Sequence, residues 1–472
     1  MREKDISDLL KKYKQMLESG RSIYFDAEEF EELSDYYDML DEGQTAKKII
    51  EIGLNIHPTS EILRLKKAKF MLYERKYEQA LEYLQTNFNG YSLELYLLKV
   101  ESFLQLGLYD DAQRLTRDIL ETEETDRGDA YAELGFLYTE ADYFDDAVFL
   151  FEKSIKYKPD NIEALTELAY VYEMQDDFDS AIRINNKILD VDPYSYETWI
   201  NIGKLYTIKE AYENAIDAFD FALTINDSDI NTLKLKAHSL FLNENIDEAI
   251  ELFKACIELF PDDASLYYSL SECYMVVEQY DKMLQSLDKY QEIEGESIEI
   301  LAKKAFAFMQ GGDLRTSAEL IEKGLESEPD SEDMNAIAGE LYFQQGEYEK
   351  SEMYFLKAYR TSIENSTILD RLSIISIQKG EYEKAIEYLE ELLTVDVQPV
   401  TKVRLALLYF EIGDQNRFNQ YLDYFSNDDL KKLFTVFFPD DQFDTDNIAR
   451  ESLVKRLIDA RECRQLFKNI NL

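Results

Sequence analysis

Two histidines, three cysteines and many carboxylates are the groups in this 472-residue chain that could ligate a metal or do acid–base and nucleophilic work. His57 precedes Pro58 in a turn-like stretch, and His238 lies far along the chain, so a shared metal site is not expected. Cys256, Cys273 and Cys463 form no Cys-x-x-Cys pair and no disulfide framework, and read as plain thiols. No zinc-protease, dinucleotide, phosphate-loop or nucleophile-elbow motif occurs. The acids Asp440, Asp444, Asp446 and Glu451, with Gln442, are spaced like a calcium loop. That loop needs glycine where Thr445 stands and an apolar residue where Asn447 stands, so calcium is not expected there. Paired carboxylates abound, but chance supplies them in a chain this acidic, and nothing local raises a pKa for general-acid work. Asn226 and Asn365 open glycosylation sequons in form only, since no export signal is seen. No catalytic residue, cofactor or metal is therefore assigned.

So acidic a chain is restricted in what it can hold. There are 97 acidic and 51 basic side chains, a formal charge of −46. With 45% hydrophobic and 13% aromatic residues, the chain is too apolar to be a disordered acidic tail, so the charge sits on a folded object. Seven prolines and 16 glycines suit helices better than sheets. Polyanionic nucleic acids and anionic membrane surfaces are repelled by this balance, which leaves neutral or basic polypeptides. No stretch is long and apolar enough to span a bilayer, and residues 1–19 read as a charged amphipathic helix without a leader's apolar core. A cytoplasmic location is the expectation.

The elements show themselves as a ladder. Tyr131, Leu134, Gly135 and Tyr138 are followed by Ala147, Phe151 and Pro159. Leu165, Leu168, Ala169, Tyr172, Ala181 and Pro193 repeat the pattern, then Trp199, Ile202, Gly203, Tyr206, Ala215 and Phe219, then Leu233, Ala237, Leu240, Ala249, Phe253 and Pro261. Small residues extend it both ways, through Ala46, Ala80 and Ala112, and through Ser317, Ser351 and Ala385. Repeat starts fall near Ala27, Glu61, Leu93, Gly128, Ile162, Tyr196, Ile230, Ala264, Ile298, Glu332, Ser366 and Pro399. This pattern resembles the tetratricopeptide repeat. A generic helical bundle would show no such ladder.

Positions four, seven, eight and eleven of a unit fall on one face of a first helix. A small eighth residue, such as Ala169, Ala237, Ala305 or Gly339, and a small twentieth residue let the second helix cross closely. A turn residue such as Asp41, Gly107, Asp142, Gly346 or Gly380 separates the two helices. One hairpin cannot bury both faces, so hairpins must stack. The resemblance implies an all-α, right-handed α-α superhelix of about twelve hairpins over residues 27–425. Residues 1–26 are expected as an N-terminal capping helix and lead-in, and residues 426–472 as a C-terminal helical cap. The apolar segment Lys431–Phe438 is either part of that cap or, through Phe434, Phe437 and Phe438, a docking or self-association patch.

In the family so resembled, first helices line a concave groove, with positions two, five, six, nine, twelve and thirteen facing it. Carried onto this sequence, these positions give Leu97, Leu98, Glu101 and Leu104, then Glu133, Phe136 and Glu140, then Glu167, Tyr170 and Met174. Ile200, Asn201, Lys204, Lys234 and His238 follow, and later Tyr268, Glu272, Met275, Phe306, Met309 and Phe343. Leu97, Phe136, Tyr170 and Ile200 would form an apolar stripe flanked by Glu101, Glu133 and Glu167. Asn201, Lys204, Lys234 and His238 would make a small cationic spot. Some family members clamp a C-terminal carboxylate with Lys, Asn and Arg, but only Asn201 matches that set, so clamping is not expected. The reading is a non-enzymatic protein-interaction scaffold or adaptor whose partner is a basic or amphipathic polypeptide. The alternative is a chaperone-like carrier of basic or unfolded client segments. The oligomeric state is not legible.

Overall fold

The twelve expected starts coincide with twelve helix starts, save that one begins at Arg127 rather than Gly128. In the computed structural model, residues 3–19, 23–122, 127–361, 365–396, 399–427, 430–431 and 450–459 are described, and they form 26 helices and no strand. The chain divides into two compact units, Met1–Ser239 and Leu240–Leu472.

In unit 1, α1 (Glu3–Ser19) precedes six hairpins. Their first helices are α2 (Ala27–Met39), α4 (Glu61–Tyr73), α6 (Leu93–Gln105), α8 (Arg127–Glu140), α10 (Ile162–Met174) and α12 (Tyr196–Ile208). Their second helices are α3 (Gly43–Ile56), α5 (Tyr77–Thr86), α7 (Tyr109–Thr122), α9 (Phe144–Tyr157), α11 (Phe178–Val191) and α13 (Tyr212–Ile225). The next helix is α14 (Ile230–Leu242). Unit 2 carries α15 (Ile246–Leu259) and five hairpins, with first helices α16 (Ala264–Val276), α18 (Ile298–Gln310), α20 (Glu332–Gln344), α22 (Ser366–Lys379) and α24 (Pro399–Glu411). Their partners are α17 (Tyr280–Glu294), α19 (Leu314–Ser327), α21 (Tyr348–Thr361), α23 (Tyr382–Val395) and α25 (Gln415–Tyr424), and α26 (Arg450–Asp459) follows.

The crossing inside each hairpin explains the small residues. A Cβ on Gly135 would sit 2.7 Å from the Phe151 ring, one on Gly203 would sit 2.5 Å from Phe219, and one on Gly339 would sit 2.8 Å from Phe355. The eighth residue therefore yields its side-chain space to a phenylalanine of the second helix. Where serine replaces the small residue, its hydroxyl bonds across the joint. Ser317 donates to the Ala305 carbonyl at 2.8 Å, Ser351 to the Gly339 carbonyl at 2.7 Å and Ser34 to the Ala46 carbonyl at 3.3 Å. These hydroxyls are buried, so the bond they make removes the cost of desolvating them.

Every first helix ends on a left-handed residue at the fifteenth position of its repeat. In unit 1 these include Asp41, Arg75, Asp142, Asp176 and Glu210; in unit 2 they include Gly312, Gly346, Gly380 and Gly413. The following amide then reaches back five residues, as from Tyr143 to the Tyr138 carbonyl at 2.9 Å and from Asp313 to the Phe308 carbonyl at 2.9 Å. This closes the helix end and aims the second helix back along the first.

At one end of unit 1, α1 lays Leu9 and Tyr13 against a core containing Phe25, Phe30 and Leu33. His57 belongs to this end: its Nε2 lies 2.7 Å from the Phe25 carbonyl oxygen, and its ring stands edge-on to Tyr24 and Phe30. It is a packing and hydrogen-bonding residue. In unit 2, Leu453 of α26 joins the core of α23 to α25, while the Arg450 guanidinium donates to the Phe425 and Leu422 carbonyls at 2.7 and 3.1 Å. Cys463, Phe434, Phe437, Phe438 and residues 440–449 of the calcium-like stretch lie outside the described residues.

Candidate functional site

Successive first helices stand side by side within each unit, so position six of one repeat lies near position nine of the repeat before it. What occupies that joint decides whether the face is closed or open. At the start of unit 1 it is closed by ion pairs: Lys66 binds Asp35, and Lys69 lies 2.5 Å from Glu94. From α6 onward the pattern changes. Position nine is Glu101 and the next position six is Glu133; Glu140 and Glu167 follow on α8 and α10. None of these four carboxylates has an ion-pair partner among the described residues.

The consequence is electrostatic. Burial, with the Glu140 carboxylate adding to it and Lys69 opposing it, pushes the Glu101 carboxyl up to about 7. Glu167 is raised in the same way, by burial first and then by Glu140. Glu173 is raised by burial, with Lys204 working against it. A half-buried carboxylate beside like charges, with no cation of its own, gains by binding one from outside.

The other expected groove residues take different places. Leu97 and Phe136 are half-buried and pack against the unit 1 core, Phe136 edge-on to Phe151 at 5.3 Å. Tyr170 stands 47% exposed, and Met174 and Ile208 beyond it are 51% and 58% exposed. Ile200 and Asn201 are half-buried, and Lys204 is exposed. Lys234 is half-buried and His238 exposed on α14. The exposed apolar residues here are therefore Tyr170 and Met174 on α10 and Ile208 on α12, whereas Leu97 and Phe136 are packed into the core. Ile208 ends its helix at position thirteen, and that position was a usable signal. Leu98, Leu104 and Met309, expected on the face, are instead buried. They occupy positions six and twelve, which lie at the joint between neighbouring first helices; apolar residues there turn inward, as Met309 does toward Met334 and Leu341.

In unit 2 three of the joints are closed by ions. Lys303 pairs with Glu272 at 2.7 Å, Arg371 with Glu340 at 2.9 Å and Arg404 with Asp370 at 2.5 Å. The Tyr268 hydroxyl donates to Glu299 at 2.5 Å. Lys303–Glu272 and Arg371–Glu340 share one 31-residue offset with Lys66–Asp35.

No metal-competent group of three or more His, Cys, Asp or Glu side chains occurs among the described residues. No described helix is long and apolar enough to cross a membrane.

Tetratricopeptide-repeat family models match residues 138–196, 303–366, 196–229, 235–263 and 367–396. A comparison with curated protein sequences gives no match. Among solved structures, the MamA protein is similar at 23% identity over 36% of this chain and 92% of its own, with a TM-score of 0.34. YrrB, described as a TPR protein with an unusual peptide-binding site, is similar at 17% identity over 39% of this chain and 95% of its own, TM-score 0.34. A tetratricopeptide repeat protein from Parabacteroides merdae is similar at 19% identity over 60% and 98%, TM-score 0.32. The helix starts, the small-residue crossings and the family models agree, and the chain is a member of the tetratricopeptide-repeat family.

Proposed function

We propose that this protein is a non-enzymatic scaffold that holds a basic or amphipathic polypeptide on the first-helix face of α6 to α12. The observation that carries this is the run of carboxylates Glu101, Glu133, Glu140 and Glu167 with no ion-pair partner among the described residues, beside the exposed Tyr170, Met174 and Ile208. Lys or Arg of a partner relieves the like-charge crowding, and apolar side chains between them bury against the exposed apolar residues. Charge supplies steering and register; the buried apolar and ring contacts supply most of the affinity. Lys204, exposed on α12, marks where the acidic stretch gives way to a cation, which favours one direction of an oriented partner. Residues 1–26 and 426–472 act as end caps of the array.

The test compares the wild-type chain with the double variant Glu133→Lys/Glu167→Lys as bait in native lysate at low and high salt, with captured proteins identified by mass spectrometry. A small set of partners held at low salt by wild type and lost by the variant is the expected result. Equal capture by both baits removes the face from consideration. Broad, weak capture of many basic proteins points to a carrier of unfolded clients instead. Phe136→Ala and Tyr170→Ala then separate the packed residue from the exposed contact, with the larger loss expected for Tyr170.

A further inference from the structure

Unit 2 has a different opening. Between α16, α18 and α20 lies an open cavity of about 310 Å³ whose apolar lining is Met275, Ala302, Phe306, Ala336 and Ile337. Its charged rim is Glu299, Lys303 and Asp333. The Lys303 ammonium is already engaged, held by Glu272 at 2.7 Å and lying 5.0 Å from the centre of the Tyr268 ring. Glu299 is held in place by the Tyr268 hydroxyl, which leaves its charge uncancelled. Asp333 has no ion-pair partner among the described residues. The rim therefore presents two uncompensated carboxylates to whatever enters an apolar floor.

We infer that this cavity is a second binding site, which takes an apolar side chain of a polypeptide carrying a Lys or Arg beside it. The volume lies at the low end of the roughly 300–1,000 Å³ of ligand pockets, enough for one or two side chains and too little for a folded element. The cavity is open along the row of first helices, so an isolated small ligand stays half in water, whereas a peptide continues its contacts along the neighbouring helices. The adjoining ion pairs are internally satisfied, so affinity here comes from apolar burial with one or two charge contacts. It falls less with salt than binding at the acidic face of unit 1. This inference rests on the reading of the chain as a polypeptide binder but concerns a separate unit.

The full chain is illuminated with a short synthetic peptide of alternating Lys and Leu in which one Leu is replaced by a benzophenone amino acid, and the adducts are mapped by mass spectrometry at low and high salt. Adducts on Met275, Phe306 or Ile337 that persist at high salt are expected. Ala336→Phe, which fills the cavity, lowers them about tenfold. Asp333→Lys changes an exposed residue and leaves the fold intact; it lowers them about three- to tenfold by repelling the cation. Absence of adducts between residues 264 and 344, or adducts unchanged in both variants, overturns the inference. Adducts confined to α6 to α12 overturn it while sparing the unit 1 reading; adducts confined to unit 2 do the reverse. Self-association of the chain without peptide, lost in Ala336→Phe, makes the occupant a second copy and also overturns it.

Discussion

At the sixth position of a repeat, unit 2 places Lys303, Arg371 and Arg404, and each finds an acid on the first helix before it. At the same position α8 and α10 of unit 1 place Glu133 and Glu167, and the Glu140 carboxylate bears on both Glu101 and Glu167. The backbone arrangement is shared, and at the start of unit 1 Lys66 pairs with Asp35 as Lys303 pairs with Glu272; on α8 and α10 the sign of that residue is reversed. In a stacked array that difference decides between a face closed on itself and a face left in need of cations. In unit 2, where position six is the apolar Ile337, a cavity with an acidic rim appears. On the function proposed above, the binding chemistry of the chain lies in the joints it leaves unpaired.

The comparison can be broken at its foundation, the shared hairpin joint. Gly203→Leu and Gly339→Leu drive a side chain into Phe219 and Phe355, and each should cost about 2–3 kcal/mol in denaturant unfolding, alike in both units. Unequal losses would mean that the joints are not equivalent. Next in size, Glu133→Lys/Glu167→Lys should weaken binding of a Lys–Leu peptide at unit 1 by about ten- to a hundredfold, measured by fluorescence anisotropy at low salt. The same measurement after Glu340→Lys in unit 2 should show little change at the unit 1 face.

Glu101 sharpens the contrast through pH. Its carboxyl is raised to about 7 in the folded chain, chiefly by burial, so the folded state keeps a proton that the unfolded chain releases. Stability therefore declines as pH rises from the ordinary carboxylate range through about 7, and the penalty is complete above that. Glu101→Gln should raise stability by about 1 kcal/mol at pH 8 and leave it unchanged at pH 4, as read from urea melts. Peptide binding should strengthen between pH 6 and pH 8 in wild type and do so less in this variant. The smallest effect concerns the turns. Asp176→Gly in unit 1 should stabilise by about 0.5–1 kcal/mol by relieving a left-handed aspartate, and Gly346→Asp in unit 2 should lose a similar amount.

Much of this was legible beforehand. The alanine ladder and the tyrosine and proline spacings placed the repeat starts within a residue, because close helix crossing tolerates only small side chains and so writes itself into the sequence at fixed intervals. The turns were legible where glycine stood and at Asp41 and Asp142, but Glu210, Glu244 and Glu278 also adopt the left-handed conformation, and nothing in their side chains announces it. The proposed face was less legible. Glu101, Glu133, Glu167 and Tyr170 were carried over from the groove positions of the family the sequence resembles, and so were Leu98, Leu104 and Met309, which are buried.

The sequence by itself determined the helices, their pairing and the acidic surplus, since these depend on spacing within one repeat and on composition. Only the tertiary structure decided which charges cancel. An ion pair between repeats depends on two side chains some thirty residues apart meeting across a joint. Whether Lys303 neutralises Glu272 while Glu101 is left beside Glu140 is fixed by that three-dimensional neighbourhood, and the one-dimensional tally of acids and bases is blind to it.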